Sequence, residues 1–564
     1  MLDLFALTQL ACQASNLAER LTILKQLTEC STHLNFQAPL NEADLQAIDE
    51  DLERLFSNAA ANPPQGSFYR IKRQVVKRSL RLYRWVALNL TDFSPEQQQI
   101  FLEVHAPWLS HYIEAIAQVS HGCDLQNTSI QDVNSQGCFP FLKLIETELT
   151  AILEVAQQDG LEVPNHPQIV ASVQQFFWER VKLMVTHAML ADTPFFQTEA
   201  EEPSSLSDAF HAFYLRFPVL ARWLAQVSGD LIVLTRQAIA RLVQDRHDLS
   251  QQFWEGVEIA SLTDCRLTQA QDETEEHPIL QIEFCLANGQ VKNLTYCPYS
   301  IQAEAGLQQL YAEASTDRVK THAISILAKR RYGYIERAKQ PSKLDLFQEI
   351  GCHFAIRELL GSSRGIWGQL QLGAVPRRVY ASEIPWPSDV RSPKNLNSPK
   401  TDSESSNVEE AIQQGFQRMD QWLRRQSHVA ARALNTHFAH ASAQLRHRPA
   451  ATYLKIFKTV QSAPCLANPL AVDAVFRTLE HCRWDGLGEL VQLEVKMLWQ
   501  FKALWLTIPM NHRYILYEAE HSLFSKLPIP PLHYLSRRVQ KMGAHDRSPK
   551  QRDDQDETLK KLLV

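Results

Sequence analysis

A phosphate-binding loop, a metal cluster or a cationic stripe would each leave a characteristic spacing in the sequence. The loop pattern G-x-x-x-x-G-K-[ST] does not occur, and Gly486-Leu487-Gly488 lacks the third glycine of a dinucleotide fingerprint and follows no predicted strand. His437 and His440 stand three apart on a predicted helix near His428 and His447, and Cys30-x-x-His33 and His481-Cys482 occur elsewhere. No set supplies the three or four ligands of a zinc site, so no metal is expected and solvated helix-face histidines are the plainer reading. Arg70, Arg73, Lys77, Arg81 and Arg84 recur at three- to four-residue steps, opposite Ile71, Val75 and Leu82. That stripe is a candidate surface for a phosphate or an acidic peptide; a solvated amphipathic face produces the same pattern.

The elements that would position such groups are mostly helical. Only 18 glycines occur in 564 residues, and Leu, Ala and Gln are abundant. Leu45, Ile48, Leu52 and Leu55 follow Asn41-Glu-Ala-Asp44 at helical steps, and Ser94-Pro95-Glu96 is an N-cap with proline behind it. Further helices are predicted over 141–156, 167–189, 206–224 and 230–242. The period then changes: Leu280, Ile282, Phe284 and Leu286 alternate with Gln281, Glu283 and Cys285, and Asn288-Gly289 leads into a second extended run, 291–296. An Asn-Gly pair there predicts a hairpin with a type I′ turn, both central residues at positive φ. Strands at 322–328 and 332–337 would complete a small antiparallel sheet of four or five strands within about 260–340, before helix returns at 344–360. Prolines with Ser, Asn and Asp over about 385–407 predict a mobile linker. Helices are expected from Val408 to about Arg538, and 543–564 as a charged, disordered tail.

Hydrophobic residues make up 45% and charged residues 21%, enough to bury a sizeable core. With 57 Lys and Arg against 63 Asp and Glu, the net charge of -6 argues against a chain that coats nucleic acid or inserts by charge into anionic membrane. No apolar run reaches the roughly 20 residues of a bilayer span. The first ten residues carry Asp3 and no Lys or Arg, unlike a secretory signal, so a cytoplasmic location is expected. The 10 cysteines form no C-x-x-C pair, which predicts reduced, buried thiols.

The segment from Ile279 through Asn288-Gly289 to Tyr296-Cys297-Pro298-Tyr299 resembles the strand, turn, strand and "Tyr-Lys-Pro" segment of class II lanthipeptide synthetases, in their N-terminal dehydratase domain. Phe139-Pro140-Phe141, Arg216-Phe217-Pro218-Val219-Leu220-Ala221-Arg222, Tyr332-Gly333-Tyr334-Ile335-Glu336 and Trp505-Leu506-Thr507-Ile508-Pro509 resemble other segments of that domain in the same order. The likeness runs roughly from Gly137 to Arg538. It implies a lipid-kinase-like core embedded in helices. It also implies an ATP- and magnesium-dependent chemistry that phosphorylates Ser and Thr of a precursor peptide and then eliminates the phosphate. The family's separate zinc cyclase is expected to be missing.

Carried over residue by residue, the resemblance sets the family's phosphate-binding lysine on Cys297. After Leu359-Leu360-Gly361, the aspartate, histidine and asparagine of the family's catalytic loop fall on Arg364, Ile366 and Gln369. The downstream metal-binding aspartate falls near Ala381, with Glu383 kept. In the elimination motif the leading arginine becomes Gln444 and the threonine Ala450, with Arg446, Arg448 and Tyr453 nearby. Phosphoryl transfer rests on positioning and electrostatic stabilisation, and a thiol, an arginine and an alanine cannot replace a lysine and two carboxylates.

The sequence therefore leads to an α+β, mostly helical protein with a helical N-terminal region at 1–130 and a dehydratase-like domain at 131–542. That domain would comprise a small-sheet lobe at about 260–340 and a helical lobe at 408–542. The expected role is a catalytically inactive relative, without ATP, magnesium or zinc, that binds a precursor peptide or an active synthetase paralogue and neither nucleic acid nor membrane. An active enzyme with a rearranged ATP site and a helical interaction protein unrelated to peptide modification are the alternatives.

Overall fold

The computed structural model describes residues 4–16, 19–20, 102–103, 106–119, 133–192, 206–268, 278–314, 325–336, 403–446, 450–477 and 491–517, with parts of 348–371 and 522–544. They form a mostly helical α+β protein. Two compact units interleave along the chain: Met1–Ala240 with Ala450–Ala503, and Arg241–Pro449 with Leu504–Val564. The basic stripe from Arg70 to Arg84, the helix starts at Asn41 and Ser94, and most of the segment 385–407 lie outside the described residues.

In the first unit the described helices are α1 (Leu4–Ala14), α2 (Leu109–Val119), α3 (Phe139–Gln158), α4 (His166–Ala191), α5 (Leu206–Arg216) and the opening part of α6 (Pro218–Phe253). The returning segment adds Ala450–Val460, Ala463–Ala467, Pro469–Arg477 and Val491–Trp499. Prolines occupy the first turns of α3 and α4, where a missing N–H breaks no helical hydrogen bond. Tyr112, Phe139, Phe141, Phe210 and Tyr214 are fully buried or nearly so, and the Tyr214 hydroxyl donates to the Gly137 carbonyl at 3.0 Å. The expected helix over 206–224 is two helices, because Pro218 has no N–H to donate and disfavours the helical conformation at Phe217 before it. The helices at 206–224 and 230–242 were expected to be separate, yet α6 runs unbroken from Pro218 through Gly229 to Phe253.

Arg222 ties the two parts of this unit together. Its guanidinium donates to both carboxylate oxygens of Glu19 at 2.7 and 2.8 Å and to the Ala14 carbonyl at 3.0 Å, and it lies 5.0 Å from the Trp499 ring centroid. Glu19 also belongs to a reciprocal N-terminal cap: the Asn16 N–H donates to its carboxylate, and its own N–H donates to the Asn16 side-chain oxygen, both at 2.9 Å. Next to it, the Trp223 indole N–H donates to the Trp499 carbonyl at 3.1 Å, and the Trp499 indole N–H donates to Asp473 at 2.9 Å.

The second unit carries two five-stranded sheets. In the first, β1 (Ile259–Thr268), β2 (Ile279–Leu286) and β3 (Val291–Cys297) form an antiparallel meander. Helix α7 (Gln302–Ala314) then leads to β4 (Ser325–Ala328) at the edge, and β5 (Gly333–Glu336) returns between β3 and β4. The β2–β3 turn is not type I′. The Gly289 N–H donates to the Leu286 carbonyl at 2.8 Å, the Leu286 N–H donates to the Gln290 carbonyl at 2.9 Å, and Gly289 alone in this turn has a positive φ, of 81°. This is a three-residue connection closed by a left-handed glycine, so only one of the Asn-Gly pair needs the unusual conformation.

The second sheet corrects the expectation of helix alone from Val408 to Arg538. Its strands β6 (Leu370–Gln371), β7 (Ser442–Arg446), β8 (Trp505–Pro509), β9 (Tyr514–Tyr517) and β10 (Ser522–Lys526) lie in the order β10-β9-β8-β7-β6. These pieces are short, and Leu445 pairs with Leu506 across a long stretch of chain, so no local periodicity declares them. Helices α8 (Ser403–Arg425) and α9 (Ser427–His437) fall between β6 and β7 in the chain, and Pro531–Ala544 follows β10. Gly415 lets α8 approach the helical residue Gln348 closely; a Cβ there would collide with the Gln348 carbonyl.

No single described helix is long and apolar enough to cross a membrane. The pair α5 and α6 passes that test together, bent by 112°, but much of its apolar surface is buried in the core. Burial pushes the Cys12, Cys265 and Cys465 thiols up to about 12, which holds them protonated and inert.

Gly289→Ala should cost about 1 kcal/mol, the penalty of an L-residue in the left-handed region. The check is the thermal unfolding midpoint, and an unchanged midpoint would refute the turn assignment.

Candidate functional site

Among the described residues of the second unit, a connected set of polar groups lies between α6 and the first sheet. Arg241, Asp245 and Asp248 follow at four- and three-residue steps, which sets them on one face of α6. The sheet contributes Tyr296 from β3 and Tyr334 from β5, which are cross-strand partners, and the β4–β5 turn contributes Lys329 and Tyr332. Tyr332 and Tyr334 alternate onto one face, as a two-residue period requires.

Asp245, only 4% exposed, is the hub. One carboxylate oxygen accepts from the Tyr332 hydroxyl at 2.9 Å and the Tyr334 hydroxyl at 3.0 Å, and the other lies 3.2 Å from Lys329 Nζ. Lys329 also donates to Asp248 at 2.6 Å. Arg241 donates to the Tyr296 hydroxyl at 2.5 Å, with its guanidinium carbon 4.2 Å from the Tyr332 ring centroid. Burial raises Tyr296 above its ordinary value, with Arg241 working against the shift. Burial and the Asp245 carboxylate push Tyr332 up to about 12 and Tyr334 higher still. The bond to Lys329 lowers Asp248, and the same bond raises Lys329. Tyr332 and Tyr334 are thus held neutral as donors to Asp245 while Tyr296 accepts from Arg241, and both cations are engaged by groups of the same cluster. At its edge, Glu336 accepts from the Trp254 indole at 3.0 Å, and burial holds its carboxyl above the usual 4.5.

Cys297 ends β3 opposite Gly333, one residue beyond Tyr296 and so on the other face of the strand. It is 2% exposed. Gln444 and Arg446 lie on β7, paired with Thr507 and Trp505 of β8, and Gln444 also pairs with Gln371 of β6. Ala450 opens a helix of the first unit, in which the buried Tyr453 hydroxyl donates to Glu494 at 2.7 Å. Arg364, Ile366, Gln369, Ala381, Glu383 and Arg448 lie outside the described residues. Among the described residues no group of three His, Cys, Asp or Glu is arranged to hold a metal ion, and His437 instead bonds Glu313 at 2.6 Å. Sequence reasoning missed the Asp245 cluster, although the Arg241/Asp245/Asp248 spacing and the Tyr-x-Tyr alternation were both legible. Nothing local links a helix face to a strand more than 80 residues away.

Residues 217–356 match the model of a domain of unknown function (DUF4135). That segment contains α6, the first sheet and the whole Asp245 cluster. Comparison with curated proteins finds no match.

Asp245→Ala would leave two phenols and an ammonium without their shared acceptor, and should destabilise the second unit by about 3 kcal/mol. Tyr332→Phe, which removes one donor, should cost less, on the order of 1.5 kcal/mol; calorimetric unfolding ranks the two, and the reverse order would contradict the hub assignment. Because the fold raises the Glu336 pKa, it binds that proton more tightly than the unfolded chain does. Stability should therefore fall as pH rises from 4.5 through the raised value and level off above it. Glu336→Gln keeps an oxygen for Trp254 and should remove that component, a change read from unfolding midpoints across the acidic range.

Proposed function

We propose that this chain is a catalytically inactive relative of the dehydratase domain of class II lanthipeptide synthetases, working in the cytoplasm as a binding partner for a precursor peptide or an active synthetase. The DUF4135 match supports the ancestry, since that domain occurs in some lanthipeptide synthetase-like proteins. The loss of activity rests on one observation. Where the resemblance sets a lysine for the nucleotide phosphates, the chain holds Cys297, buried at the end of β3.

A buried thiol offers a phosphate no charge, and Arg241 of α6 and Lys329 of the β4–β5 turn are engaged by Tyr296, Asp245 and Asp248. The described residues therefore do not fit ATP as the resemblance would have it bound. What this reading keeps is a scaffold: a helical unit and a sheet braced on α6.

Thermal shift and calorimetric titration with ATP, with and without magnesium, test this reading. A ligand at a hundred times its Kd would add about 2.7 kcal/mol to stability; the expectation is no magnesium-dependent shift. Magnesium-dependent binding, followed by loss of water from Ser or Thr of a peptide, would establish an active enzyme with a rearranged site instead.

A further inference from the structure

β4 ends the strand order of the first sheet, and among the described residues it pairs with β5 alone: Ile326 lies opposite Ile335, Leu327 opposite Tyr334 and Ala328 opposite Gly333. The Lys329 N–H donates to the Tyr332 carbonyl at 2.9 Å, which makes these two a hydrogen-bonded pair. Antiparallel pairs alternate, so Leu327 and Ser325 also bond to β5, and the N–H and C=O groups of Ile326 and Ala328 point outward. We infer that this outer edge takes an extended segment of an acidic peptide as a sixth strand, its backbone bonded to Ile326 and Ala328 and a carboxylate meeting Arg330. The inference rests on the peptide-binding reading above and gives it a place on the chain.

Three observations carry it. First, β4 is exposed through its edge. Gly333, Tyr334 and Ile335 of β5 are buried on both faces of the sheet, yet Ala328, Leu327 and Ile326 opposite them are half-buried on both faces. Covered faces with an accessible border are what an unpaired edge leaves, and its outward N–H and C=O groups are a template for another strand. Second, β4 lacks the devices that blunt an edge. The opposite edge strand, β1, has register shifts between Ile259 and Ser261 and between Leu262 and Asp264, and it carries the Asp264–Arg266 ion pair. β4 stays in register along its length and contains neither a charge nor a proline. Main-chain hydrogen bonds give such a surface its affinity, and an extended segment is the conformation that supplies them. Third, the charge at the end of the strand selects among extended segments. The β4–β5 turn contains Lys329-Arg330-Arg331; Lys329 is engaged by Asp245 and Asp248, whereas Arg330 is exposed and holds no ion pair among the described residues. A guanidinium there favours a carboxylate on the incoming strand, which it can meet with two parallel hydrogen bonds.

The test uses the full chain and a fluorescein-labelled peptide amide, Glu-Val-Thr-Val-Thr-Glu, titrated by fluorescence anisotropy. A glutamate at each end lets either strand direction bring one to Arg330. The probe should bind and should slow amide hydrogen exchange over residues 325–328. A counterpart N-methylated at every internal residue keeps the side chains, loses the pairing donors and should not bind. Ile326→Pro removes an outward N–H that β5 does not use, and should weaken the probe about tenfold, the upper size of one neutral hydrogen bond. Arg330→Glu should weaken it about fivefold and make a lysine-ended counterpart the better ligand. Absence of probe binding, equal binding of the N-methylated counterpart, or an affinity unchanged by Ile326→Pro would overturn the proposal; an unchanged preference in Arg330→Glu would overturn its acidic partner. Should Ile326→Pro unfold the chain, the N-methylated comparison and the exchange of residues 325–328 on the unaltered chain decide. Probe binding that ignores both variants would overturn the edge and leave the peptide-binding reading standing, while the ATP titration decides the inactive-dehydratase reading separately.

Discussion

A carboxylate taken out of water must be met by donors, and in the sheet-bearing unit the buried Asp245 sets that condition for everything around it. Its three partners come from a strand, a turn and the residue just before a strand, so satisfying one charge on α6 brings β5 and the β4–β5 turn to the helix. Tyr296 follows because β3 is the cross-strand neighbour of β5, and its hydroxyl is bound by Arg241 one turn back along the same helix. The network is closed: each phenol has an acceptor or a donor, and each cation has a partner. A closed polar network favours one register of sheet on helix, since slipping β5 by one residue would turn Tyr334 away from Asp245.

The first unit solves a similar problem with the opposite charge. Arg222 is buried, and both of its amino groups are occupied by Glu19 and Ala14, with Trp499 against its face. Planar, bidentate pairing of this kind suits arginine and would not suit lysine. Glu19 is held in place by its cap with Asn16, so a short N-terminal piece, the start of α6 and the returning segment near Trp499 depend on one another. The segment Arg216 to Arg222, which in the sequence resembles part of the dehydratase domain, carries ion pairs that hold this unit together: Arg216 pairs with Asp192 at 2.6 Å and Arg222 with Glu19.

This division bears on function. Arg216, Arg222, Tyr296, Tyr332 and Tyr334 of the resembling segments are occupied with holding elements together, and Cys297, at the place where the likeness would set a cation, is a buried thiol.

Local chemistry alone determined the helices of 139–191, the strands on either side of Asn288-Gly289 and the mostly helical α+β class, because hydrophobic period and turn residues act over a few neighbours. The resemblance, read on the same sequence, sets Cys297 where that family holds a lysine. Tertiary structure decided the rest. The turn at Gly289 took a three-residue form because the strands close with Leu286 opposite Gln290. The second sheet exists because β7 and β8 meet across the stretch that folds into the first unit, a non-local pairing with no local signature. The Asp245 cluster is likewise a product of helix-to-sheet packing. Residues distant in sequence acquire a shared role there only because buried polar groups must find partners and side chains must fill space.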